Sequence, residues 1–154
     1  SDNLAGALQE INLRLDTSDF TANNLIRFYI ENEHRLEEEN KNEIKDAFTN
    51  YKYWFSEYDG RKDSMCYWSE NHQILFAVNE YLAGQEWPNE KFSDGNNGSW
   101  HKEFAAERIN AWMEMFFVFL IFHQSLLLGM MCFALTVGIC VQIKTVKNFP
   151  YSKS

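Results

Sequence analysis

The densest run of residues able to do chemistry is Tyr67-Trp68-Ser69-Glu70-Asn71-His72-Gln73. Ser69 is of the type that opens helices at the N-cap. Glu70, Asn71 and His72 then fall in the first turn, where free backbone N–H groups and the positive end of the helix dipole favour an anionic ligand. A carboxylate, a carboxamide and an imidazole are offered together there. The same dipole disfavours the imidazolium, which suits His72 to act as a neutral general base. Glu70, Asn71 and His72 are therefore the candidate catalytic set, and the rings of Tyr67 and Trp68 are surfaces on which a sugar can stack. The spacing also admits a structural reading, with Glu70 and Asn71 as capping groups and His72 as a satisfied, half-buried histidine.

Other candidates carry less. His34 and Glu37 share a helix face, but there is no His-Glu-x-x-His pattern and no cysteine pair at metal-ligand spacing, so no metal is expected. His101 follows Trp100 at a helix start and is expected on the surface. Cys66, Cys132 and Cys140 do not make a disulfide framework, because two of them lie in an apolar tail. No glycine-rich phosphate loop, nucleophile elbow or basic groove is present, which argues against nucleotide, acyl-transfer and nucleic-acid functions and leaves no cofactor to expect. Asn97-Gly98-Ser99 is a glycosylation sequon in an expected exposed loop.

The elements that must hold these residues are helices. Leu4, Leu8, Ile11 and Leu15 form one stripe of a first helix ending near Asp16, and Asp16-Thr-Ser-Asp19 supplies turn and cap chemistry. A second helix from about 20 to 30 is apolar enough to be covered on more than one side. A third carries Ile44, Phe48, Tyr51 and Phe55 on one stripe. A fourth, with Ile74, Val78 and Leu82 facing the core, closes at Gly84, where a left-handed C-cap is expected. The long loop 85–99 precedes a fifth helix from about Ser99 or Trp100. No segment alternates with period two, so the fold class is all-α.

Composition splits the chain in two. All 22 acidic residues lie at or before Glu114, where 11 Lys and Arg leave a net charge of 11 − 22 = −11, and the last forty residues carry +3 from Lys144, Lys147 and Lys153. Residues 115–143 form a stretch of 29 without a formal charge, against the roughly 20 needed to span a bilayer. Its polar break at His123, Gln124 and Ser125 could support self-association through interhelical hydrogen bonds. The expected domains are 1–112 helical, 113–143 transmembrane and 144–154 a short basic tail. By the positive-inside rule the acidic part is extracytoplasmic and the C-terminus cytoplasmic. A buried central helix is the alternative reading, and the chain would then be secreted or soluble if the tail is not native. The opening at Ser1 has no basic-then-apolar pattern, so the sequence reads as mature or as a fragment.

The stretch 48–84, with Lys52-Tyr-Trp54, Met65-Cys-Tyr-Trp-Ser-Glu-Asn-His-Gln73 and Glu80-Tyr-Leu-Ala-Gly84, resembles a signature block of a family of large helical proteins of unassigned function. Weaker similarity runs from about 20 to 112. That family is itself similar to the (α/α)-toroid polysaccharide lyases and related glycoside-active enzymes. The resemblance implies that Asn71 neutralises a uronate carboxylate and His72 removes a proton, with Tyr67, Glu70 and Tyr81 as neighbours. The chain departs from the toroid by having about five polar helices, too few to close a ring. The expectation is an incomplete toroid-like array from a carbohydrate-active protein, a glycan lyase or hydrolase, anchored in a membrane through 115–143. The alternative is a non-catalytic single-pass helical protein whose extracytoplasmic part binds a partner.

Overall fold

The computed structural model describes residues 2–57 and 60–122. Five α-helices occupy them: α1 Asp2–Leu13, α2 Ser18–Asn32, α3 Glu38–Thr49, α4 Glu70–Glu86 and α5 Gly98–Phe122, with a 3-10 turn at Glu33–Arg35 between α2 and α3. Among the described residues there is no β-strand, and an isolated bridge between Lys91 and Asn97 pins the loop before α5. The all-α class is the observed one.

Leu8 and Ile11 of α1 are buried, but the helix ends at Leu13 because Arg14 adopts a left-handed backbone with φ 52°. Leu15, the fourth member of the expected stripe, is thereby thrown into solvent. Arg14 itself is buried and donates from a guanidinium nitrogen to the Asn50 carbonyl at 3.0 Å, tying the end of α1 to the end of α3. α2 buries Ala22, Leu25, Ile26 and Tyr29, while Phe20 and Phe28 stay exposed, so it is covered less completely than its composition suggests. α3 stops at Thr49, short of the expected stripe. Ile44 and Phe48 are buried on it, and Tyr51 enters the core from the extended segment that follows. Phe55 remains exposed.

α4 is the central helix. Every residue from Ile74 to Gly84 is buried, and α2 packs along it more extensively than along any other element. Gly84 does not end the helix, which runs on to Glu86. Its lack of a side chain serves close approach instead: a Cβ there would collide with the Gly98 carbonyl and lie 2.7 Å from the Lys102 nitrogen. The reversal falls at Gly95, with φ +96°. α5 is then capped by Asn97, whose Oδ1 accepts from the Trp100 N–H at 2.9 Å. Around α4 the core is aromatic: Tyr67 stacks on Phe76 at 4.9 Å between ring centres and Tyr51 on the same ring at 6.1 Å. Such pairs add about 0.5–1.5 kcal/mol each to area burial.

The described residues up to Met113 form one compact unit, and those from Glu114 belong to another. Among the described residues no helix is long and apolar enough to cross a membrane. Most of the expected span 115–143, with His123, Gln124 and Ser125 and the tail bearing Lys144, Lys147 and Lys153, lies outside the described residues.

Candidate functional site

α4 begins as the sequence suggests. Ser69 has extended backbone, and its Oγ accepts the His72 N–H at 3.5 Å, which places His72 at the end of the first turn. The imidazole reaches across to α2, where its Nδ1 lies 2.8 Å from Asp19 Oδ2. Asp19 sits in the first turn of α2 with no exposed side-chain area, while the His72 side chain is 15% exposed. Asn79 of α4 donates to the Asp19 backbone carbonyl at 2.8 Å and accepts from Asn23 at 3.0 Å, so two buried carboxamides lock the helices in register behind the pair. Phe20 meets the imidazole edge to face at 5.2 Å.

Burial pushes the Asp19 carboxyl up to about 6, against the pull of His72 and of the backbone N–H groups of Asp19 and Phe20. Its other oxygen, Oδ1, is buried and has no hydrogen-bond partner among the described residues. A carboxylate on Nδ1 holds the proton of a neutral imidazole on that nitrogen and leaves the Nε2 lone pair available. The arrangement can therefore accept a proton at Nε2 and stabilise the imidazolium that results.

The other sequence-derived candidates divide between surface and core. Glu70 and Asn71 are exposed in the first turn of α4. Trp68 is 79% exposed and lies 6.4 Å from the Phe55 ring, also exposed, so an open aromatic pair precedes the helix. Tyr67 and Tyr81 are core residues at 5% and 3% exposure, which leaves them almost no surface on which a sugar could stack. Lysines cover their rings, Lys52 at 5.3 Å and Lys102 at 5.6 Å. Asn97 is exposed, with its carboxamide oxygen engaged in capping α5. Asp19 was not among the candidates; its one local signal was membership of the Asp16-Thr-Ser-Asp19 cap, which says nothing about a partner 53 residues away.

A second histidine cluster lies about two turns further along α4, at Glu80. His101 is 1% exposed, not at the surface as its position in the chain suggests, because the close contact of Gly84 with Gly98 brings the start of α5 onto α4. Its Nδ1 lies 2.8 Å from Glu80 Oε1 and its Nε2 3.0 Å from Asp94 Oδ1. The other Glu80 oxygen accepts from Arg108 at 2.7 Å, and that guanidinium stacks over Trp54 at 4.2 Å. Burial alone would lower the His101 value, but Glu80 and Asp94 overcome it and raise it. Glu57, whose Oε2 accepts the Tyr53 N–H at 2.9 Å, is pushed up to about 7, mainly by burial. Among the described residues no group of three or more His, Cys, Asp or Glu is arranged to hold a metal ion.

Two grooves open elsewhere. One of about 600 Å³ runs between α1 and α3, and one of about 450 Å³, floored by Leu4, Leu25 and Phe28, lies between α1 and α2. None of the residues singled out for catalysis or sugar binding lines either. Comparison with protein-family models, curated proteins and solved structures returns no match to this chain.

Proposed function

We propose that the chain is part of a carbohydrate-active protein, and that the start of α4 is where it meets a glycan. The observation that carries this reading is the His72 imidazole, held at Nδ1 by a buried carboxylate 2.8 Å away with its other nitrogen left for a substrate. Beside it in sequence are the exposed Asn71, Glu70 and Trp68. For a uronate-containing chain, Nε2 of His72 takes the C5 proton while the Asn71 carboxamide hydrogen-bonds the uronate carboxylate. The electron pair forms the C4–C5 double bond, and the glycosidic oxygen leaves with a proton from solvent. Asp19 is the positioning residue. In the same reading the five helices are an arc of a larger (α/α) toroid, and the apolar stretch 115–143 anchors it with the acidic part extracytoplasmic.

The test is a panel of polyuronides and neutral glycans, with binding and the absorbance of an unsaturated product followed for the wild type, His72→Ala and Asn71→Ala. A base of this kind contributes about 10²–10⁴-fold, so His72→Ala should lose turnover by that factor while glycan binding persists. Unchanged binding and turnover with a lowered Tm, or no glycan activity in the wild type, overturns the proposal. A non-catalytic partner-binding protein would then be the reading, favoured by the exposed Trp68 and Phe55 pair.

A further inference from the structure

Resting on the lyase reading of the start of α4, we propose that its substrate is a uronide whose carboxyl group is esterified rather than free. The charges around His72 carry the distinction. To take a proton the imidazole must be neutral, and its wholly buried partner Asp19, pushed up by burial to about 6, is an anion above that pH. Glu70 stands exposed in the first turn of α4, one residue from Asn71. Among the described residues no Lys or Arg hydrogen-bonds to or pairs with Asp19, Glu70, Asn71 or His72. The N-terminus of α4 offers about half a positive charge, which two carboxylates outweigh. A free uronate brought to Nε2 therefore meets anions and no cation, and the net charge of −11 up to Glu114 adds to the repulsion.

The elimination itself makes the same selection. Removing the C5 proton puts negative charge beside the carboxyl group. A carboxylate must be neutralised by a cation or a proton before it can share that charge, whereas an ester carbonyl takes it up directly. The Asn71 carboxamide, exposed on the same turn, is a neutral donor suited to that carbonyl oxygen. Phe20 supplies the second element of recognition: its ring is 37% exposed and meets the imidazole edge to face at 5.2 Å. Against this apolar flank the alkoxy group of an ester buries surface, while a carboxylate loses water and gains no partner. The C5–H bond breaks with its proton going to Nε2, and the electron pair becomes the C4–C5 double bond. The C4–O bond breaks with its pair on the glycosidic oxygen, which takes a proton from solvent, and the ester stays intact.

The experiment offers the full chain polygalacturonate, alginate and chondroitin, each as the free acid and as its methyl ester, and follows unsaturated product above the buffer-catalysed rate. For the polymer turned over fastest, kcat/KM for the ester should exceed that for the free acid by about tenfold or more. That ratio should shrink by about threefold or more in Glu70→Gln, which removes a charge that repels the free acid. Phe20→Ser should shrink it too, through a raised KM for the ester. The ratio is read within each variant, so a general loss of activity does not move it. A wild-type ratio near one, or faster product from the free acid, overturns the choice of an esterified substrate and leaves the lyase reading standing. A preference for the ester that neither substitution alters also overturns it, because the preference then belongs to the polymer's own reactivity. No unsaturated product from any of the polymers, free or esterified, overturns both.

Discussion

His72 and His101 each lie within hydrogen-bond distance of a wholly buried carboxylate at 2.8 Å, yet the two clusters are built for different ends. His101 has both ring nitrogens bonded, to Glu80 and Asp94, and Glu80 has its second oxygen on Arg108. Both His101 nitrogens and both Glu80 oxygens are spent on the fold, and Glu80 and Asp94 raise the His101 value against the effect of burial. His72 spends one nitrogen on Asp19, and its other ring nitrogen makes no hydrogen bond among the described residues. A paired histidine is thus evidence of structure or of chemistry according to what its second nitrogen meets.

The sharpest way to break the comparison is to remove each ring. His101→Ala strips a buried charged network of its centre and should cost about 3–5 kcal/mol of stability, measured by denaturant unfolding. Because the folded value is raised, His101 contributes its stability below the ordinary histidine value and loses it as pH rises through the raised one. The gap to wild type should therefore narrow in alkali. A second, somewhat smaller effect has the opposite sign. Glu57 sits in the electrostatic field of the His101 cluster with a value of about 7, so the fold favours its protonated form and stability falls as pH rises from the ordinary glutamate value through about 7. Glu57→Gln has no proton to lose. It should match wild type at pH 4 and gain about 2–3 kcal/mol at pH 8, seen as a raised Tm. The smallest effect is His72→Ala, at about 1–2 kcal/mol, because the Asp19 carboxyl left behind can take up a proton. A loss at His72 as large as at His101 would erase the distinction between the clusters.

Much of the local architecture was legible. The stripes Leu8 and Ile11, Ile44 and Phe48, and Ile74, Val78 and Leu82 all face the core, and Ser69 caps α4 as its type suggests. The errors fell where a distant contact overrode a local rule. Gly84 carried the mark of a C-cap, but the approach of the Gly98 backbone, not a change of handedness, is what requires it. His101 follows an exposed Trp at a helix start, and only that same approach buries it. Tyr67 and Tyr81 were aromatic neighbours of the candidate site, yet the packing around α4 turns Tyr81 inward, and Tyr67, in the segment before the helix, is buried against Phe76.

The sequence by itself determined the all-α class, the Ser69 cap that starts α4 and the division in charge between an acidic part and an apolar, basic-ended tail. Periodicity, capping and charge act over a few residues, so they can be read from a few residues. Only the tertiary structure decided which histidine is closed and which is open. Asp19 and His72 are 53 positions apart and Glu80 and His101 are 21 apart, and the carboxylate each imidazole meets depends on how α2, α4 and α5 pack.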